Sequence, residues 1–260
     1  SLLSAKPSIL VLNKKDLIPQ ELKPQIKHEL QELPNFPSQS IYFTNCKDHR
    51  CDGVKKIIPK AVQLIKDSER FNRQGEKENI IMVVGVPNTG KSSLINALRN
   101  RHLHKKGATA VGAVAGITRS VLTRIKICED PLIYLLDTPG VLMPNIKEME
   151  MGLKLALCSC FKDDIVGESN IADYLLFWLN KHENFSYVEF MGLTEPTDDI
   201  LLCLLSYAKK HGKTLNMKNV STNALEERPD LDTSAKCFIR AFRNGQFGTV
   251  FLDDNHLKIR

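Results

Sequence analysis

Two glycines, a lysine and a serine have the spacing of a phosphate-binding loop. The stretch GVPNTGKSS, residues 85–93, matches G-x-x-x-x-G-K-[ST]. In this pattern backbone N–H groups surround the β-phosphate, the lysine reaches the β- and γ-oxygens, and the serine hydroxyl binds Mg²⁺. An apolar strand precedes the loop and a helical pattern follows, which is the context that the motif requires. The sequence therefore predicts a P-loop with these phosphate and magnesium contacts: Asn88, Thr89, Gly90, Lys91, Ser92 and Ser93.

A second chemical motif precedes the P-loop in the chain. An apolar strand runs into NKKD, which comprises Asn13, Lys14, Lys15 and Asp16. Beside a P-loop, an N-K-x-D tetrapeptide reads guanine, because its carboxylate accepts both N1–H and the exocyclic amine, a pairing that adenine does not offer. We expect Asn13 to face O6 and N7 and the stem of Lys14 to cover the base.

The next strand ends in TNCKD, residues 44–48, which is a candidate second loop at the base. Here the backbone N–H groups of Asn45 and Cys46 are expected to face O6. The order strand, NKxD, helix, strand, loop and helix is the one that guanine-binding proteins use for this half of their site.

The pattern D-x-x-G, which can report on the γ-phosphate, occurs as DTPG at 137–140 and as DIVG at 164–167. DTPG follows an apolar strand, where a P-loop fold places the carboxylate that holds Mg²⁺ through water. DIVG lies between helical segments and is the weaker candidate. The predicted catalytic residues are Lys91, Thr118 and Gly140, and the predicted metal ligands are Ser92, Thr118 and Asp137.

The order of these motifs is unusual, because NKKD precedes the P-loop. In a parallel sheet each active loop leaves the carboxyl end of its strand, whatever the order along the chain. Cutting the chain between two strands and joining the old ends by a linker preserves such a site. The polar stretch RQGEKEN, residues 73–79, stands where that linker belongs. The motifs are therefore compatible with one site in a circularly permuted order.

Periodicity divides the chain into an α/β domain over 1–145 and a helical domain over 146–260. Helical spacing in the second part covers 147–161, 169–183 and 197–211. The first part has 22 Lys and Arg against 13 Asp and Glu, whereas the second has 14 against 17. The excess is densest in RNRHLHKK, residues 99–106, and predicts a polyanionic partner or a solvated basic loop.

Seven cysteines are scattered without a C-x-x-C pair, which disfavours a zinc site and fits a reducing compartment. No apolar run approaches the roughly 18 residues that span a bilayer. The chain begins almost directly on a strand, so we expect upstream sequence to be missing.

NKKD, TNC, GVPNTGKSS, GITR and DTPG together resemble the circularly permuted YlqF/RbgA-type GTPases, and in particular their mitochondrial members. GLKLAL, ADYLL and FIRAFRNGQFG resemble the C-terminal helical domain of this family, so the likeness covers essentially the whole chain. The resemblance implies a permuted Ras-like domain followed by a small all-α domain, with GTP hydrolysis that uses Mg²⁺. It also implies contact with the precursor of the mitochondrial large ribosomal subunit and its rRNA, in the matrix at the inner membrane.

The chain departs from this family and from other GTPases at three points. The family carries an N-terminal strand with a histidine proposed to position the attacking water, and this sequence starts after it. That strand belongs between the P-loop strand and the NKxD strand, so a gap is expected there. Val141 follows DTPG, where Ras-type enzymes place a water-orienting glutamine. Ala115 stands where relatives commonly have proline, which predicts a looser switch loop.

Three readings of the function follow. The first is a GTPase switch whose GTP form binds rRNA, with the positive charge supplied by residues 99–126. Asn88 would coordinate K⁺ in this switch, or would only cap the P-loop. The second is a GTP-binding placeholder with negligible hydrolysis. The third, a P-loop ATPase, is disfavoured by NKKD.

Overall fold

A computed structural model describes residues 6–33, 40–68, 78–103, 123–137, 146, 148–218 and 225–253. The chain divides into two compact units, Ser1–Pro144 with Val250–Arg260, and Asn145–Thr249. Thr118, Gly140, Val141 and most of the predicted linker lie outside the described residues. The side chain of Asp137 is likewise not described.

The described part of the first unit contains two small sheets. Strands β1 (Ile9–Leu12) and β2 (Ser40–Phe43) are parallel neighbours. Strand β3 (Asn79–Val83) pairs in parallel with β5 (Ile133–Asp137), which also pairs antiparallel with β4 (Thr123–Cys128). No described strand joins the two sheets.

Three helices follow the strands of this unit, namely α1 (Leu22–Glu32), α2 (Asp52–Lys66) and α3 (Lys91–Leu103). A single apolar core contains Val54 and Ile58 of α2, Ile95 and Leu98 of α3, and Ile133 of β5. Side chains from β1, β2 and β3 pack against the same core. Helices α2 and α3 therefore hold the two sheets in one unit.

The second unit is organised around α6 (Glu168–Lys181), whose apolar side chains are buried except for Phe177. The other helices are α4 (Met149–Leu157), α5 (Asp163–Val166), α7 (Tyr187–Met191), α8 (Ile200–Lys210) and α9 (Leu231–Arg243). The three segments predicted to be helical, 147–161, 169–183 and 197–211, thus correspond to α4, α6 and α8. Helices α4 and α8 are shorter than predicted, and α6 begins and ends slightly earlier.

The second unit also contains a β-hairpin, so the prediction of an all-α C-terminal domain is wrong. Strands β6 (Thr214–Lys218) and β7 (Leu225–Pro229) pair antiparallel. Most residues of both strands are exposed. TLNMK alternates polar and apolar residues but over only five positions, and LEERP does not alternate. Because cross-strand pairing rather than burial defines this hairpin, periodicity alone is too weak a signal to predict it.

None of the described helices has the length and apolar character needed to cross a membrane.

Candidate functional site

The NKKD loop and the second base loop, residues 44–51, leave the same edge of the β1–β2 sheet. The backbone N–H of Thr44 donates to the carbonyl of Leu12 over 2.8 Å, and the N–H of Lys15 donates to the carbonyl of Thr44 over 2.9 Å. Lys14 has a left-handed backbone with φ 60°, which turns the chain from the strand into the loop. The parallel pairing of β1 and β2 therefore places both predicted base-reading loops together.

Asn13 connects these two loops to the P-loop. Its Nδ2 donates to the carbonyl of Thr89 over 3.2 Å. Its Oδ1 accepts from Thr44 Oγ1 over 3.1 Å and from the N–H of Cys46 over 3.4 Å. Because O6 and N7 of guanine accept hydrogen bonds, only Nδ2 of Asn13 could serve them, and the expectation that Asn13 faces these atoms stays a prediction. One amide hydrogen remains beyond the bond to Thr89, and its use by the base stays a prediction.

Gly90 is the point where the P-loop comes closest to Asn13. Its φ is 94°, a conformation that residues with a side chain rarely adopt. A Cβ at this position would also collide with Nδ2 of Asn13. The second glycine of the P-loop thus serves both the turn of the loop and the approach of the NKKD asparagine.

Lys91 and Thr89 fold over the P-loop. Lys91 Nζ donates to the carbonyl of Val86 over 2.7 Å, and Thr89 Oγ1 donates to the same carbonyl over 3.0 Å. Asn88 has φ 58°, which asparagine tolerates better than most residues. The N–H of Leu94 donates to the carbonyl of Gly90, which starts α3 directly behind the loop. The positive end of α3 therefore lies where the motif requires the phosphates.

The predicted base-reading carboxylate is available for a ligand. Asp16 lies in a short 3-10 turn, Lys15–Leu17, and its side chain is exposed. Among the described residues it makes no hydrogen bond or ion pair. A carboxylate held on a short turn beside Asn13 can accept two N–H donors from one base.

The second base loop is closed on itself by hydrogen bonds. Asn45 Oδ1 accepts from the N–H of Lys47 over 2.9 Å, and the N–H of Asn45 donates to Cys51 Sγ over 3.2 Å. Burial raises the pKa of the Cys46 thiol to about 11, so this side chain stays neutral. The predicted contact of Cys46 with the base is accordingly through its backbone N–H and stays a prediction.

The magnesium side of the site is only partly described. Ser92 and Ser93 lie in the first turn of α3, next to the P-loop. Asp137 ends β5 and is the register partner of Val83, the last residue of β3. The backbone of Asp137 thus reaches the edge of the sheet from which the P-loop leaves. Thr118 and Gly140 lie outside the described residues, so their predicted roles stay predictions.

The basic stretch begins at the end of α3, against the second base loop. Arg101 Nη1 donates to the carbonyl of His49 over 3.1 Å. Burial, followed by the charge of Arg101, lowers the pKa of His102, and its Nε2 is buried without a partner among the described residues. His102 therefore adds no charge at neutral pH, and the arginines carry the positive charge of the described part.

Two residues with direct roles in this geometry were not among those predicted. Thr44 is fully buried and holds Asn13 through its hydroxyl, and Cys51 holds Asn45 through its sulfur. The sequence could have indicated Thr44, because its hydroxyl directly precedes the predicted site residue Asn45. No local pattern pointed to Cys51, which is six residues from its partner.

The chain matches known protein families and curated proteins. A family model described as "50S ribosome-binding GTPase" matches residues 80–204. The chain is 56% identical over 250 residues to "Mitochondrial GTPase 1" of Aedes aegypti, covering 96% of this chain and 78% of that protein. It is 48% identical over 261 residues to "Mitochondrial ribosome-associated GTPase 1" of Bos taurus, covering 99% and 77% respectively.

Among solved structures, GDP-bound TM YlqF resembles this fold with a TM-score of 0.52 and 18% sequence identity. The similarity covers 94% of this chain and 82% of that one. At this level of identity the likeness concerns the fold alone.

Proposed function

Because this chain belongs to the mitochondrial ribosome-associated GTPase 1 family, we propose that it is a guanine-nucleotide switch acting on the mitochondrial large ribosomal subunit. The resemblance to the mitochondrial members of the YlqF/RbgA type is confirmed by these relatives. The chain is a GTP-hydrolysing enzyme, as the family model and the names of its close relatives support.

The hydrogen bond from Asn13 to Thr89 carries the proposal of guanine recognition. It brings the NKKD loop against the P-loop although their order in the chain is reversed. In the proposed complex Asp16 accepts N1–H and the exocyclic amine of guanine, and the N–H of Cys46 faces O6. The stem of Lys14 covers the base, and Lys15 supports the loop through its bond to Thr44.

For hydrolysis we propose that Lys91 releases the carbonyl of Val86 and turns to the β- and γ-phosphate oxygens. Ser92 and Asp137, together with Thr118, are the proposed Mg²⁺ residues, and Gly140 contacts the γ-phosphate through its N–H. Bound Mg²⁺ would supply neutralisation of charge on the phosphates. The left-handed Asn88 is the candidate contact for K⁺. With Val141 at the glutamine position, turnover is slow until the ribosomal precursor binds.

The basic segment 99–126 is the proposed contact with rRNA in the GTP state. Arg101 lies against the second base loop, so the proposed RNA surface borders the nucleotide site. The names of the relatives support a mitochondrial location, and a matrix position peripheral to the inner membrane is our proposal.

Base exchange tests guanine reading. Asp16→Asn should lose GDP affinity by about tenfold or more and gain xanthosine diphosphate affinity, because xanthine presents a carbonyl where guanine has its amine. Calorimetric titration with both nucleotides measures this, and Asp67→Asn at the end of α2 should leave both affinities unchanged. Unchanged guanine preference in Asp16→Asn excludes NKKD as the base reader.

The switch role requires a separate experiment. Single-turnover GTP hydrolysis should be slow for the isolated chain and faster with precursors of the large subunit. Fast hydrolysis without them contradicts the proposed activation. A Lys91→Ala variant that still completes subunit assembly refutes the switch role, and assembly by a variant that binds but does not hydrolyse GTP supports the placeholder function.

A further inference from the structure

The second base loop is closed by one buried sulfur atom. Cys51 is 1% exposed, and its Sγ accepts the N–H of Asn45 over 3.2 Å. Its own N–H donates to the carbonyl of Asp48 over 3.1 Å, and the N–H of Asp48 donates to the carbonyl of Asn45 over 3.2 Å. The sulfur thus joins the start of the loop to its end.

The position of Cys51 makes its sulfur a good acceptor. It is the N-cap residue of α2, where the first backbone N–H groups of the helix lack intrahelical partners. Burial raises the pKa of this thiol, but the neighbouring N–H groups of Asn45, Val54 and Gly53 and the charge of Lys15 bring it below its ordinary value.

The end of strand β2, where the second base loop starts, is packed tightly against the start of helix α2. A Cβ on Gly53 would collide with the carbonyl oxygen of Phe43, the last residue of β2. Helix α2 therefore begins in direct contact with the end of the strand that carries the loop. The sulfur of Cys51 is held on this rigid support and fixes Asn45 relative to it.

The bond to sulfur decides which N–H in this loop remains for a base. The N–H of Asn45 is used by Cys51, whereas the N–H of Cys46 reaches Asn13 Oδ1 only over 3.4 Å, which is long for a hydrogen bond. Of the two donors expected to face O6, the N–H of Cys46 therefore has the weaker protein contact and is the one that we expect to turn to the base. Its direction depends on how Asn45 is held.

We propose that Cys51 is a positioning residue for guanine selectivity, whose sulfur holds Asn45 so that the N–H of Cys46 points at O6. The proposal rests on the guanine recognition proposed above and adds the residue that aligns one of its donors. Cys51 does not touch the base, so its effect must depend on O6 and not on the phosphates.

The test compares GDP with the diphosphate of 2-aminopurine riboside, whose base lacks O6 and with it the N1–H donor, and the comparison is made between variants so that the N1–H difference is the same in each. In the full chain, Cys51→Ala should weaken GDP binding about tenfold and leave the analogue within about twofold, so the selectivity ratio decreases about tenfold. Cys51→Ser should restore the ratio to within about threefold of wild type, because a hydroxyl accepts the same N–H. Cys128→Ala, which removes another buried thiol from the same core, should leave the ratio unchanged.

Equal weakening of both nucleotides in Cys51→Ala means that the sulfur only supports folding of the site, which overturns the proposal. If the wild-type chain binds GDP and the analogue equally well, the proposed recognition of O6 is wrong. That result contradicts the guanine recognition proposed above, whereas the preceding one contradicts only the role of Cys51.

A second measurement needs no variant. Trypsin cleaves after Lys47 and Arg50, so Cys46 and Cys51 fall in separate peptides and their alkylation by iodoacetamide can be followed individually. GDP should slow alkylation of Cys51 in the wild-type chain at least about fivefold more than the analogue does, because a contact of O6 with the N–H of Cys46 suppresses the opening of the loop that exposes the sulfur. Equal protection by the two nucleotides overturns the proposal.

Discussion

Nδ2 of Asn13 lies 3.2 Å from the carbonyl oxygen of Thr89, a residue 76 positions further along the chain. This hydrogen bond joins the NKKD loop to the P-loop. The same side chain also accepts hydrogen bonds from the second base loop. Three loops from different parts of the chain thus meet at one amide, which brings the motifs together although their order in the chain is reversed.

Removing this amide should uncouple the three loops. We expect Asn13→Ala to lower GDP affinity about tenfold or more, because the donors of Thr44 and Cys46 and the carbonyl of Thr89 all lose their partner. Calorimetric titration with GDP measures the loss. Asn216→Ala, an exposed asparagine of β6, is the control and should bind like wild type. GDP affinity within twofold of wild type in Asn13→Ala would show that the contact is dispensable.

A side chain at Gly90 should abolish nucleotide binding. Gly90→Ala adds a collision with Asn13 to the strain of a positive φ, so GDP affinity should decrease at least about a hundredfold. Gly212→Ala is the matched control, because Gly212 also has a positive φ but no atom near the added Cβ. That variant should lose about 1 kcal/mol of unfolding free energy and keep its GDP affinity. Equal GDP affinity in the two variants refutes a specific role of the close approach.

Arg243 should stabilise the second unit strongly. Its guanidinium donates to both carboxylate oxygens of Asp163, over 2.8 and 2.6 Å, and to the carbonyls of Ala156 and Leu157. Arg243→Met should lower the free energy of unfolding by about 2–3 kcal/mol, because a partly buried carboxylate loses its partner. Urea denaturation followed by circular dichroism measures this.

The control for Arg243 is Arg228→Met, which breaks an exposed ion pair with Glu226 within β7. It should change the free energy of unfolding by less than about 1 kcal/mol. Similar losses in both variants would indicate that Arg243 acts only as an ordinary surface residue.

Asp230 should give the stability of α9 a pH dependence. Its carboxylate accepts the N–H of Thr233 over 2.9 Å as N-cap, and this bond lowers the pKa of Asp230 below 3.8. The stabilisation is therefore complete above that value and is lost as the pH decreases through the lowered pKa. Asp230→Ala should cost about 1 kcal/mol at pH 7, and its deficit relative to wild type should shrink towards pH 3. Urea titrations at several pH values check this, and a deficit independent of pH contradicts it.

Much of the first unit could be predicted from the sequence, because its signals are local. The spacing of Gly85, Gly90 and Lys91 and the apolar strand before them identify the P-loop without any distant contact. The hairpin at 214–229 could not be predicted, since both strands are short and mostly exposed and LEERP has no apolar alternation. The role of Cys51 was also missed, because a buried cysteine and a cysteine that accepts a hydrogen bond look alike in a sequence.

The sequence by itself determined which residues can do chemistry, since NKKD and the P-loop are recognised by residue types at fixed short spacings. Only the tertiary structure decided how they cooperate. The core shared by α2 and α3 brings two separate sheets together, and that core places Asn13 beside Thr89 and leaves no room for a Cβ at Gly90. Contacts across 76 residues depend on the burial of apolar side chains throughout the unit, and no local pattern encodes them.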